Sequence, residues 1–76
     1  MAMVRFTQRW VEEDNTTGVP WVWLFSDMLA QAGQPAYAKV RRADLDPDTQ
    51  RKLSDAQAAE FDTDTLTLQG SPKERV

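Results

Sequence analysis

Val19-Pro20-Trp21-Val22-Trp23-Leu24-Phe25-Ser26-Asp27-Met28-Leu29-Ala30-Gln31-Ala32-Gly33 carries two of the three tryptophans and the densest run of large apolar side chains in the chain. Two periodicities compete for it. On a helix, Trp21, Leu24, Phe25, Met28, Leu29 and Ala32 follow the i, i+3, i+4, i+7, i+8 spacing and cover an arc of about 140°, the width of a core-facing stripe. Pro20 then occupies the first turn, where its missing N–H costs nothing, and Gly33 supplies a left-handed stop. On a strand, Val19, Trp21, Trp23 and Phe25 alternate with Pro20, Val22 and Leu24, and Asn15-Thr16-Thr17-Gly18 ahead of them forms a hairpin turn. Alternation fails after Phe25, because Asp27–Ala32 is helix-forming. The spacing therefore predicts a helix over about 20–32, with Leu24, Phe25 and Met28 buried. The alternative is a strand through Phe25 followed by a short helix capped by Ser26.

Outward from this stretch, residues 3–11 read as a half-buried strand. Val4, Phe6 and Trp10 share one parity, and Arg5, Thr7 and Arg9 the other. Glu12–Gly18 is an acidic, turn-rich loop. After the break at Gly33-Gln34-Pro35, residues 37–43 read as a polar edge strand with Ala38 and Val40 inward. Asp46 and Pro47 mark a helix start, with Asp48 complementing the positive end of the dipole. Ser54-Asp55-Ala56-Gln57 fits a second start, so one helix spans 47–61 or two short ones meet near Ser54. Residues 65–69 alternate as a short strand, and 70–76 have nothing to bury. The expected fold is thus one α+β domain over 1–69, a small three-stranded sheet in the order β-α-β-α-β with one long aromatic-rich helix and a second helix. The alternative begins with an N-terminal β-hairpin (3–13 with 19–25) followed by short helices.

Composition narrows the function. With 76 residues, the core is thin. The absence of cysteine and histidine removes disulfides, the commonest metal ligands and the commonest general base. A net charge of −3 speaks against general nucleic-acid binding. The first residues lack a signal-peptide pattern and the apolar run is too short to span a bilayer, so a cytoplasmic protein with no membrane partner is expected.

Asp44-x-Asp46-x-Asp48, with Asp55 twelfth from Asp44, is reminiscent of a calcium loop. Thr49 stands where that loop needs glycine, however, and Pro47 stiffens its middle. An Asp-Pro helix start explains the same residues, so no metal and no cofactor is expected. Serine and threonine lack an activating partner, and the carboxylate pairs lie in polar segments, so the chain reads as a non-enzyme.

The aromatic surplus remains. On the helix, Trp23 lies roughly 160° from Trp21 and Phe25, and Val22 on the flank, away from the core stripe. Val22, Trp23 and Trp10 are therefore the candidate contacts for a protein partner or a second copy. The expected function is a small non-catalytic protein-binding module: an inhibitor, an adaptor or an accessory subunit, of the sort phages and mobile elements use to occupy a host surface. The alternative is a single-stranded nucleic-acid binder using Arg5, Arg9, Lys39, Arg41 and Arg42, because aromatic residues set among arginines on a sheet face serve that purpose.

Overall fold

The computed structural model describes residues 3–70. Five strands form one antiparallel sheet: β1 (Met3–Glu13), β2 (Pro20–Phe25), β3 (Tyr37–Arg41), β4 (Ala59–Asp62) and β5 (Leu68–Gln69), in the spatial order β4-β1-β2-β3-β5. Two short α-helices accompany them, α1 (Asp27–Gln31) and α2 (Pro47–Ser54). The expected three-stranded sheet with a long helix over 20–32 is therefore corrected: residues 20–25 are a central strand, and helix begins after Ser26.

The reason lies in what covers β2. Its Val22 and Leu24 face the core, and its other three large side chains, Trp21, Trp23 and Phe25, are at least half covered on the opposite face. A strand wrapped on both sides reads as a continuous apolar run, which imitates a helix stripe. Ser26 ends the strand. Its buried side chain accepts a hydrogen bond from the Leu29 N–H (3.2 Å), while its own N–H donates to the Ala36 carbonyl (2.9 Å). This caps α1 and ties its return loop to the strand end. Met28, expected in the core, is 58% exposed on α1.

β1 and β2 form a hairpin closed by Asp14. Its N–H donates to the Val19 carbonyl (3.0 Å), and its carboxylate accepts from the backbone of Thr16 (2.7 Å) and Thr17 (3.2 Å). Gly18, at φ +72°, makes the left-handed step back into β2. The ladder shifts register between Gln8 and Trp10, a β-bulge centred on Arg9.

α2 starts at Pro47 as expected, but it stops at Ser54, so there is no helix to 61 and no second start at Ser54. Gln57 N–H bonds the Lys52 carbonyl (2.8 Å) and Ala56 N–H the Leu53 carbonyl (3.1 Å), with Ala56 itself at φ +63°. That is a Schellman stop built on alanine. The chain then returns as β4 beside the first half of β1.

β4 and β5 lie at opposite edges of the sheet, yet residues 63–67 alone join them, and residues 63–65 form a 3-10 turn. A flat five-stranded sheet would need a span of about 19 Å, from four interstrand spacings of about 4.8 Å. A link that spends a turn at about 2 Å per residue falls short of that, so the sheet curls over the core. Inside the curl lie Val4, Phe6, Val22, Leu24, Ala38, Ala59 and, from α2, Leu53. Leu45, Phe61, Leu66 and Leu68 pack around them. Phe6 and Phe61 meet edge to face, 5.7 Å between centroids at 89°.

Of the tail expected over 70–76, residues 71–76 lie outside the described residues. No helix among the described residues is long and apolar enough to cross a membrane.

Candidate partner-binding face

The convex, outer face of the sheet is built from the alternate residues of the same strands. β2 contributes Trp21, Trp23 and Phe25, which stand opposite Arg41, Lys39 and Tyr37 of β3. β1 contributes Met3, Arg5 and Thr7, and then the bulge intervenes. Without it, Trp10 would share the inward parity of Val4 and Phe6. The extra residue turns Trp10 outward, opposite Trp23.

Two aromatic groups result. In the first, Trp10 and Trp23 pack at 5.6 Å with a 30° tilt. The Trp23 Nε1–H donates to Glu12 Oε1 at 2.8 Å. Lys39 lays its ammonium over both indoles of β2, 5.1 Å from the Trp21 centroid and 5.6 Å from that of Trp23. In the second, Phe25 and Tyr37 meet at 5.0 Å, and the Arg9 guanidinium lies 4.5 Å over the Phe25 ring. Each cation is attracted by a ring quadrupole while its aliphatic stem covers apolar surface. Trp10, Trp21, Phe25 and Tyr37 all keep part of their surface in solvent. At the α1 corner the face continues into an open groove lined by Met3, Thr7, Phe25, Met28 and Glu60, where both methionines are exposed.

The residues singled out from sequence divide as follows. Val22 is 1% exposed and belongs to the core. Trp23 faces outward but is only 3% exposed, roofed by Trp10 and Lys39. The exposure expected of these two residues is therefore not found; of that set only Trp10 presents surface. Arg5, Arg9, Lys39 and Arg41 do share the outer face, separated by the β2 aromatics. Arg5 stands opposite Glu60, and Arg41 bonds Asp44 at 3.1 Å. Arg42 lies in the 3-10 turn after β3, off the sheet. The sequence reading placed Trp21 and Phe25 in the core stripe of a helix and Tyr37 only beside the basic residues, although the i, i+2 spacing of Trp21, Trp23 and Phe25 was the signal that those three share a face.

The aspartates of the Asp44–Asp48 run go to local partners: Asp44 to Arg41, Asp46 to the Thr49 hydroxyl (2.6 Å) and Asp48 to Arg51. The Thr49 hydrogen bond is the main reason the Asp46 carboxyl titrates below its ordinary value. Among the described residues no group of three or more acidic side chains is placed to hold a metal ion. Compared with protein-family models, curated proteins and solved structures, the chain matches none.

Proposed function

We propose that the protein is a non-catalytic protein-binding module that acts by occupying a partner's surface with its outer sheet face. The observation that carries this reading is the composition of that face. Trp10, Trp21, Phe25, Tyr37 and Arg9 are gathered on one rigid sheet and left partly in water, with exposed Met3 and Met28 at the corner. Aromatic residues, methionine and arginine are the types enriched where partners dock, and aromatic and arginine anchors supply most hot spots. An inhibitor, an adaptor and an accessory subunit all fit a surface used in this way.

The test is capture of partners from the native host, identified by mass spectrometry, with the wild type and a Trp21→Ala/Tyr37→Ala variant. A partner held through this face is lost in the variant while the thermal transition stays cooperative. Equal capture by both proteins would place the interface elsewhere.

A second reading has one observation in its favour: Arg5, Arg9, Lys39 and Arg41 flank the same aromatics, as a single-stranded nucleic acid would require. Binding of labelled single-stranded DNA or RNA that weakens steeply with salt, and vanishes in Arg9→Ala/Lys39→Ala, would favour it over the protein reading.

A further inference from the structure

Lys39 has a free choice that its position makes informative. It stands on the outer face opposite Trp23, next to solvent, where a lysine ammonium is ordinarily fully hydrated. Instead the ammonium rests over two indoles at once, 5.1 and 5.6 Å from their centroids. Tryptophan is the ring that attracts cations most strongly. A carboxylate is fixed at the edge of this seat, because the Trp23 Nε1–H holds Glu12 at 2.8 Å. Two indole faces make up the chemistry that recognises an ammonium or a methylated ammonium group, and Glu12, held by the Trp23 indole rather than paired with Lys39, adds negative charge beside them.

We propose that the Trp21–Trp23–Glu12 corner is a cation-recognition site, that Lys39 occupies it in the free protein, and that a lysine or methylated-lysine side chain of the partner replaces Lys39 in the complex. This rests on the reading of the outer face as a protein-docking surface and names the chemistry of the partner. Of the cations that share the outer face, Arg41 is paired with Asp44 and Arg9 lies over Phe25, so once Lys39 is released the charge left at this corner is that of its acidic end. Glu13 and Asp14 continue the acidic run from Glu12 at this end of the hairpin, Asp44 neutralises Arg41 beside Trp21, and the whole chain carries −3. An approaching polyanion meets this acidic end, whereas a basic segment gains from it. Releasing Lys39 returns its half-buried side chain to water, and the incoming ammonium takes its place over the two indoles.

All three tryptophans lie on this face, so intrinsic fluorescence reads the site directly. The probes are a tryptophan-free peptide carrying one trimethyllysine, the same peptide with glutamine at that position, and an oligothymidylate. The trimethyllysine peptide is expected to perturb the fluorescence saturably, and the glutamine peptide to leave it unchanged. Lys39→Gln removes the internal competitor and should tighten peptide binding by roughly two- to five-fold, the range of an exposed cation–π contact. Glu12→Gln should weaken it by a similar factor.

Weaker or unchanged peptide affinity in Lys39→Gln overturns the proposal. So does oligothymidylate binding that this variant abolishes, because Lys39 would then be a phosphate contact. The two readings also fail separately. If partner capture needs the Trp21 and Tyr37 rings but Lys39→Gln diminishes it, the docking face stands and the cation assignment falls. If capture ignores the rings, the docking face itself is wrong.

Discussion

The two faces of the sheet are made by the same strands, yet they are held by different physics. Inside the curl, Val4, Phe6, Leu24, Ala38 and Leu53 exclude water, and Ser26 is the one fully buried polar residue among those described. Outside, aromatic rings are held by a carboxylate hydrogen bond and two cations that remain near solvent. Burial of apolar area is stabilising at any geometry that excludes water, whereas ring–cation contacts at a surface contribute about 0.5–1 kcal/mol each. The inner face therefore fixes the fold, and the outer face holds its rings in place at low cost and can exchange partners.

The largest test of this division is Phe6→Ala. A fully buried aromatic with an edge-to-face partner should cost about 3–5 kcal/mol, enough to abolish the cooperative denaturant transition of so small a domain. A variant that keeps nearly the same midpoint would show that the core lies elsewhere.

On the outer face, Trp23→Ala and Trp21→Ala should separate. Trp23 is roofed and hydrogen-bonded, so its loss should cost roughly 3 kcal/mol. Trp21 is half-buried and should cost about 1–2 kcal/mol in urea denaturation while partner capture disappears. Equal costs would erase the distinction between a ring that supports the face and one that presents it.

A smaller effect, of opposite sign, belongs to α2, which covers the inner face through Leu53. Ala56 holds a left-handed conformation at φ +63° that penalises a Cβ. Ala56→Gly should therefore stabilise the protein by about 0.5–1 kcal/mol, net of the added chain entropy. A loss of stability would mean the stop is relaxed in solution.

Least of all is the effect at the start of α2. The Asp46 carboxyl titrates below its ordinary value, chiefly because of the Thr49 hydroxyl. A carboxyl depressed in the folded state stabilises above its unfolded pKa, and that contribution is lost as pH falls through the lower, folded value. Thr49→Val should move the Asp46 titration, followed by carboxyl carbon NMR, up toward the ordinary range. No movement would assign the depression to the backbone.

Much of the inner face was legible in the sequence. Val4 and Phe6 alternate as a half-buried strand must, and Asp46-Pro47 marks a helix start that the structure contains. Two things hid the rest. β2 is covered on both sides, so Trp21–Phe25 lost the alternation that distinguishes a strand from a helix, and the five-residue α1 after Ser26 lent helical residues to the same window. β4 is written in Ala-Glu-Phe-Asp, where only Phe61 favours a strand, and forms because β1 offers it an edge and Ala59 and Phe61 find the core. Of the outer face, the basic residues were visible as a set. Their relation to the rings depended on the order β1-β2-β3, which places the β2 aromatics between them, and on the shift at Arg9, which no local signal marks.

That shift at Arg9 changes how the chain answers to insertion and deletion. Removing one residue from a strand ordinarily inverts every side chain beyond the cut, exchanging core for surface. At Arg9 the arithmetic runs the other way. Gln8 and Trp10 already face Leu24 and Trp23, with one residue to spare between them. A chain lacking Arg9 would pair as a regular ladder with Trp10 and Glu12 still on the outer face and Val11 still opposite Val22. The position is thus the one place in β1 where length can vary by a codon without scrambling the two faces, and a lineage could gain or lose the cation over Phe25 there while keeping its fold.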